Sequence, residues 1–167
     1  MIRGLILSLA GLAAMALGLV PTAALGAGVI PTHRLSAAMA SEAVQGAIAE
    51  CAKLGFAVSA TVLDADGVTQ VLVRGDGAGV HTLKAAHDKA FTAVTFRSPT
   101  SALVARVKAG NGPAAIIAKE PNLVLDEGGE PITIGKEVVG AIGVSGSKGK
   151  DQDCGKAGIA LIRSQLH

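Results

Sequence analysis

The sequence predicts an α/β domain of the α+β type, in which a five-stranded antiparallel sheet is flanked by helices. Apolar residues recur at helical spacing in four segments, and five other segments alternate or run as short strands. Most of the strand segments are joined by short turns that contain glycine. Strands joined by tight turns pair antiparallel, because parallel strands need long crossover connections. The predicted order of elements is α-β-β-α-α-β-β-β-α.

The first predicted helix runs from a cap at Ser36 to about Leu54. A serine side chain accepts a hydrogen bond from a free amide at a helix start, and Gly55 just past the end tolerates the left-handed backbone that closes many helices. Apolar and small residues recur on one face of the segment. This pattern indicates a helix that packs against the rest of the domain.

A β-hairpin is predicted after this helix. Its strands cover 56–64 and 68–74, and the Asp66-Gly67 pair between them is typical of a tight hairpin turn. We therefore expect these two strands to pair antiparallel.

Two further helices are predicted after a glycine-rich loop at 75–79. The longer one runs from Thr82 to about Phe96. Pro99 then interrupts the helical pattern, because proline removes an amide donor and restricts the residue before it. A shorter helix is predicted over 101–108, and a cluster of glycine, asparagine and proline ends it.

The last third of the chain changes to short apolar segments separated by glycine turns. These segments predict a three-stranded meander, with strands over 123–125, 131–134 and 138–145. A final helix is expected to open at Asp151 or Asp153, since an acidic residue is favourable at a helix start.

The N-terminus has the pattern of a secretory signal peptide over 1–26. A positive charge at Arg3 precedes an apolar run over 5–20 that has no ionisable side chain, and small residues follow it. We expect export to a periplasm or out of the cell, a flexible segment over 27–34 and a single domain over 35–167. The run is shorter than the roughly 20 residues of a comfortable membrane span, so no membrane anchor is expected after cleavage.

The composition limits the partners that the chain can bind. Half of its residues are hydrophobic and 2% are aromatic, so the core must be built from Ala, Val, Ile and Leu. The formal net charge is +2, which includes Arg3, and no basic tract suits a phosphate backbone. Nucleic acid is therefore not an expected partner.

Two cysteines, Cys51 and Cys154, remain after removal of the signal peptide. An oxidising compartment allows a disulfide between them. Two buried free thiols are the alternative, because the sequence does not show whether the two Cα atoms lie within bridging distance.

No motif in the sequence specifies an enzyme, and no catalytic residue is assigned. The chain lacks His-Glu-x-x-His, Cys-x-x-Cys and Gly-x-Ser-x-Gly patterns. The glycine-rich segment over 143–150 lies between a predicted strand and a predicted helix. Its spacing differs from that of a phosphate-binding P-loop, and we interpret it as a connection.

His81 is the residue most suited to a ligand contact. It stands where a glycine-rich loop enters a helix, a position that is sterically open and electropositive from unpaired amides. A neutral imidazole is a good axial ligand for haem iron, and Lys84 one turn along can pair with a propionate. An ordinary surface histidine is the alternative. His87 lies nearer the apolar stripe of the helix, and we expect it to pack.

The other charged residues of this helix are interpreted as solvent-facing. Lys84 and Asp88 stand four residues apart, which predicts an ion pair worth roughly a few tenths of a kcal/mol. Asp88 and Lys89 are expected on different sides of the helix, where their role is solubility.

Several of these segments together resemble the GlcG/HbpS family of haem-binding proteins. The Gly-Asp-Gly-Ala-Gly-Val-His-Thr-Leu run is the most specific of them, and the others follow it or precede it in the family's order. The resemblance covers essentially the whole chain after the signal peptide. The segments that carry it are 58–67, 75–83, 88–93, 97–100, 128–132 and 139–146.

This resemblance implies a profilin-like fold, assembly into homo-oligomers and binding of haem or a related tetrapyrrole. Exported members are linked to haem sensing, storage or turnover. Within the shared motif the resemblance points to His81 as the ligand of the haem iron, with Thr82 and Lys84 as weaker contacts. Two alternatives stay open: an enzyme that degrades haem or converts a small organic acid, and an oligomeric accessory protein or cobalamin-type cofactor-binding module.

Overall fold

The computed structural model describes residues 28–167. The predicted signal peptide over 1–26 lies outside these residues. Residues 31–167 form one structural unit. Its elements in chain order are α1 (Ala37–Lys53), β1 (Ser59–Asp64), β2 (Thr69–Arg74), α2 (His81–Phe96), α3 (Thr100–Lys108), α4 (Ala114–Ile117), β3 (Gly129–Ile134), β4 (Glu137–Ser145), α5 (Asp151–Ile162) and a closing 3-10 turn (Arg163–Gln165).

The sheet has four antiparallel strands in the order β2-β1-β4-β3. Two hairpins, β1-β2 and β3-β4, supply the strands, and β1 pairs with β4 to join them. The hairpin turn at Gly67 was predicted correctly, and its glycine has a φ of +80°. An antiparallel sheet that carries helices agrees with the predicted fold class.

The prediction of five strands was wrong at 123–125. This segment is not paired with a strand, and the amide of Val124 instead donates to Oγ1 of Thr92 on α2, at 2.9 Å. The short helix α4, which was not predicted, precedes it. The observed order is therefore α-β-β-α-α-α-β-β-α, and the reason is that a short apolar run has no period that separates a strand from a loop packed on a helix.

Helices cover both faces of the sheet. α2 packs on one face, and α1 and α5 pack side by side on the other. The approach is close because small residues stand at the contacts. A β-carbon at Gly143 on β4 would collide with the carbonyl oxygen of Ala86 on α2, and one at Gly158 on α5 would collide with the carbonyl oxygen of Ala43 on α1.

The main core lies between the sheet and the α1-α5 layer and is aliphatic. A disulfide joins Cys51 of α1 to Cys154 of α5 within it, and their Cα atoms are 5.5 Å apart. Ser36 caps α1 as predicted, since its Oγ accepts a hydrogen bond from the amide of Met39 at 3.2 Å. Between residues 28 and 167, no helix has both the length and the apolar character needed to cross a bilayer.

Candidate functional site

His81 is the first residue of α2, and it is exposed. Its ring folds back over the preceding loop, so that a β-carbon at Gly79 would fall 2.6 Å from the ring carbon Cε1. Glycine at this position therefore leaves room for the imidazole. The neighbouring Val80 is 73% exposed, which places an apolar side chain beside the ring.

Thr82 lies one residue further on, but it is buried. Its Oγ1 donates to the carbonyl oxygen of Gly79 at 2.6 Å and accepts from the hydroxyl of Ser59 on β1 at 2.7 Å. A hydroxyl that is buried and bonded in both directions does not reach a surface ligand. The structure therefore argues against Thr82 as a direct cofactor contact and gives it the role of fixing the loop and the start of α2 to the sheet.

Lys84 lies on the exposed side of α2, and its Nζ is 2.5 Å from Oδ2 of Asp88. The ion pair between residues four apart is thus present as predicted, but Asp88 does not face solvent as expected, since its side chain is only 12% exposed. The same ammonium donates to the carbonyl oxygen of Pro121 at 3.3 Å. The side chain of Lys84 remains 65% exposed, so its charge is accessible one turn from His81.

The other described histidines have different surroundings. His87 stacks on Phe91, with ring centroids 6.0 Å apart, which agrees with its predicted packing role. His33 donates its amide to Glu137 and places Nδ1 2.7 Å from a carboxylate oxygen of that residue. These hydrogen bonds lower the pKa of Glu137. Within residues 28–167 the ring of His81 makes no such carboxylate contact, which leaves its nitrogens open to a ligand.

An apolar depression continues the exposed surface of α2 beyond His87. It has a volume of about 360 Å³. It was not predicted from the sequence, because its wall combines α2 with residues 116–123, of which only 123 belonged to a predicted element. Its apolar lining residues are Phe91, Phe96, Ile116, Pro121 and Leu123.

Lys89 was placed wrongly by the sequence analysis. Its side chain is 2% exposed, and its Nζ lies 2.7 Å from Oδ2 of Asp151 and 2.8 Å from Oδ2 of Asp126. Asp151 also accepts hydrogen bonds from the amide and the hydroxyl of Ser147 through its other oxygen. The charge of Lys89 therefore holds the start of α5 and the 126 region to α2, and it does not serve solubility.

The chain is similar to a known protein family and to several solved structures. The family model described as "Haem degrading protein HbpS-like" matches residues 35–160. A crystal structure of a double mutant of HbpS from Streptomyces reticuli is 34% identical, with a TM-score of 0.74, over 87% of this chain and 98% of that chain.

The chain is also similar to a protein solved with bound haem and to an uncharacterised protein. A crystal structure of PduOC in complex with haem is 25% identical, with a TM-score of 0.72, over 78% of this chain and 96% of that chain. An uncharacterised 15.0 kDa protein of the dhaT-dhaS intergenic region of Citrobacter freundii is 29% identical over 110 residues, which are 65% of this chain and 78% of that protein.

Proposed function

Because the chain belongs to the HbpS-like family, we propose that it is an exported haem-binding protein in which the imidazole of His81 ligates the haem iron. The single observation that carries the proposal is the position of His81, exposed at the start of α2 and without a carboxylate partner among residues 28–167. The haem complex of PduOC supports the choice of ligand.

The residues around His81 fit a haem by their chemistry. The neutral imidazole of His81 would hold the haem iron. Val80 offers apolar contact to the macrocycle. Lys84 offers a cation to a propionate group, either in exchange for Asp88 or shared with it.

A second copy of the chain is part of the proposal. His81 and Val80 stand at an open surface, whereas small-molecule sites commonly bury most of the ligand. One protomer therefore covers only part of a haem, and a homo-oligomer in which a neighbour closes the site would exclude water from the remaining surface.

Export is supported by two features. The first is the signal-like pattern at the N-terminus. The second is the disulfide between Cys51 and Cys154, because such bonds persist in a periplasm or outside the cell and are rare in a reducing cytoplasm.

The test is a titration of the exported form of the protein with hemin, followed by its Soret absorption. We expect saturable binding with a histidine-ligated spectrum in the wild type, and affinity weaker by about tenfold or more in His81→Ala. His87→Ala is the matched control, since it removes a histidine from the same helix, and it should bind as the wild type does. Equal hemin binding by the wild type and His81→Ala would overturn the assignment of His81 as the iron ligand. A loss of binding confined to His87→Ala would instead place the haem site at the apolar depression.

Haem degradation is a second candidate function, favoured by the description of the matching family. It is distinguished by adding a reductant and oxygen to the loaded protein. Loss of the Soret band with release of a linear tetrapyrrole product would support catalysis, while a stable spectrum would support binding alone. A cobalamin offered as competitor would show whether the site prefers another tetrapyrrole-like ligand.

A further inference from the structure

A second cavity lies on the opposite face of the sheet from α2. It has a volume of about 510 Å³ and opens between the edge strand β3 and the C-terminal part of α5. Its wall combines one acidic side chain, two basic side chains and two aliphatic side chains. These are Glu130, Lys156, Arg163, Ile159 and Leu166.

Glu130 is a buried carboxylate whose hydrogen bonding is incomplete. It lies on β3 opposite Ile142 of β4, and its side chain is 8% exposed. Its Oε1 has no hydrogen-bond partner among the described residues, and Nζ of Lys156 stands 3.8 Å away, beyond hydrogen-bond distance. Burial raises the pKa of Glu130, and the charge of Lys156 and the side chain of Gln152 oppose that rise.

An unpartnered buried acceptor is unfavourable for the empty protein. A carboxylate oxygen that leaves water without gaining a hydrogen-bond donor loses solvation, which a charge 3.8 Å away replaces only in part. A ligand that brings a donor to Oε1 of Glu130 would recover this loss, so the cavity favours a molecule with an N–H or ammonium group at that end.

The other end of the cavity presents a cation. Lys156, Ile159 and Arg163 stand at spacings of three and four along α5 and its closing turn, so they lie on one side of the helix. Seven residues separate the two basic side chains, which corresponds to about 10 Å along the helix axis. Among the described residues Arg163 forms no ion pair with a carboxylate, so its charge is available. Ile159 and Leu166 add aliphatic side chains to the same wall.

We propose that this cavity binds a small zwitterion, in which an ammonium group donates to Oε1 of Glu130 and a carboxylate pairs with Arg163 across a short aliphatic chain. Arginine is suited to bidentate recognition of a carboxylate, and both contacts are charge-assisted. The side chain of Lys156 is 57% exposed, so it can turn from Glu130 toward the ligand carboxylate. The site is separate from His81 and does not depend on haem binding.

The experiment uses ε-aminocaproate as the probe, with hexanoate and hexylamine as partial probes that each lack one charge. Binding to the full protein is measured by calorimetry and mapped by amide chemical shifts. We expect saturable binding of ε-aminocaproate that is at least about tenfold tighter than that of either partial probe, with shifts in β3 and α5.

Two variants test the two ends of the site separately. Glu130→Gln keeps the size of the side chain and removes its charge, and Arg163→Gln changes an exposed side chain that forms no ion pair among the described residues. Each should weaken binding of ε-aminocaproate by about tenfold or more, while Arg106→Gln on α3 should leave it unchanged. If Glu130→Gln does not fold, Arg163→Gln still decides the question.

Four results would overturn the proposal. They are the absence of saturable binding of ε-aminocaproate, equal binding of all three probes, binding that survives in Arg163→Gln, and chemical-shift changes confined to the surface around His81.

Discussion

Lys89 carries its charge into the interior of the protein, where two aspartates meet it. Removing a charge from water is costly, and a partner at hydrogen-bond distance offsets that cost without necessarily exceeding it. Asp151 is the buried partner, with a side chain 9% exposed, and Ser147 satisfies its second oxygen. The buried charges therefore compensate each other as long as Lys89, Asp151 and Ser147 are all present.

We predict that Lys89→Met lowers the free energy of unfolding by about 3–5 kcal/mol, because it leaves the carboxylate of Asp151 buried without a cation. Equilibrium unfolding in urea measures this change. Lys53→Met is the control, since Lys53 is 72% exposed and should change stability by less than about 0.5 kcal/mol.

The double variant Lys89→Met/Asp151→Asn should recover part of the loss, because it removes both charges and keeps an acceptor for Ser147. Stability of Lys89→Met within about 0.5 kcal/mol of the wild type would contradict this account of the buried group.

The surroundings of Lys89 could be predicted from the sequence only in part. The place of His81 at a helix start after a glycine loop was predictable, and the ion pair of Lys84 with Asp88 follows from spacing alone. Lys89 stands three residues after the buried Ala86 and four before the buried Ala93, so its position on the apolar stripe was visible in the sequence. The partner that makes its burial tolerable lies 62 residues further along the chain, and no local pattern indicates it.

At the scale of elements, the backbone of α2 packs directly against the sheet at Gly143 of β4. The β-carbon that alanine would add at Gly143 has no space, since the carbonyl oxygen of Ala86 occupies it and the amide nitrogen of Ala90 lies 2.6 Å from it. Both atoms belong to the backbone of α2, so the whole helix would have to move to make room for the β-carbon.

We predict that Gly143→Ala destabilises the protein by about 1–3 kcal/mol, as overpacking in a closed core does. It should also weaken hemin binding, because a displaced α2 carries His81 with it. Thermal or urea unfolding and the hemin titration measure the two effects.

Gly155→Ala is a matched control on α5. There the nearest atom to an added β-carbon is Cγ2 of Ile142 at 3.5 Å, which is ordinary contact, and alanine favours a helix over glycine by up to about 1 kcal/mol. Equal stability of the two alanine variants would show that the contact at Gly143 is not restrictive.

The elements themselves were largely predictable. Capping at Ser36, the Asp66-Gly67 turn and the acidic start of α5 are local signals, and the structure has an element boundary at each. The segment at 123–125 was not predictable in this way. Its residues are half-buried, and the amide of Val124 bonds to the side chain of Thr92 on α2, an outcome that depends on tertiary contacts.

For the whole molecule, the disulfide is the longest covalent constraint in the fold. It spans 103 residues and ties the first helix of the domain to the last. Closing so long a loop removes many conformations from the unfolded chain and thereby stabilises the folded one.

We predict that reduction of this disulfide lowers the free energy of unfolding by about 2–5 kcal/mol. The comparison is between urea unfolding of the wild type with and without a thiol reductant. The double variant Cys51→Ser/Cys154→Ser is the control: it should start from lower stability, and reductant should not change it. A wild type whose midpoint does not respond to reductant would contradict the prediction.

The main-chain contact between Gly143 and α2 also limits how this sequence can evolve. Where two side chains meet, a larger residue on one partner can be accommodated by a smaller one on the other, so such pairs can drift together. At the contact between β4 and α2, Gly143 has no side chain, and the facing residues Ala86 and Ala90 already have the smallest side chains after glycine. No compensating exchange of side chains exists there, so Gly143, Ala86 and Ala90 should vary less than the residues on the outward side of α2.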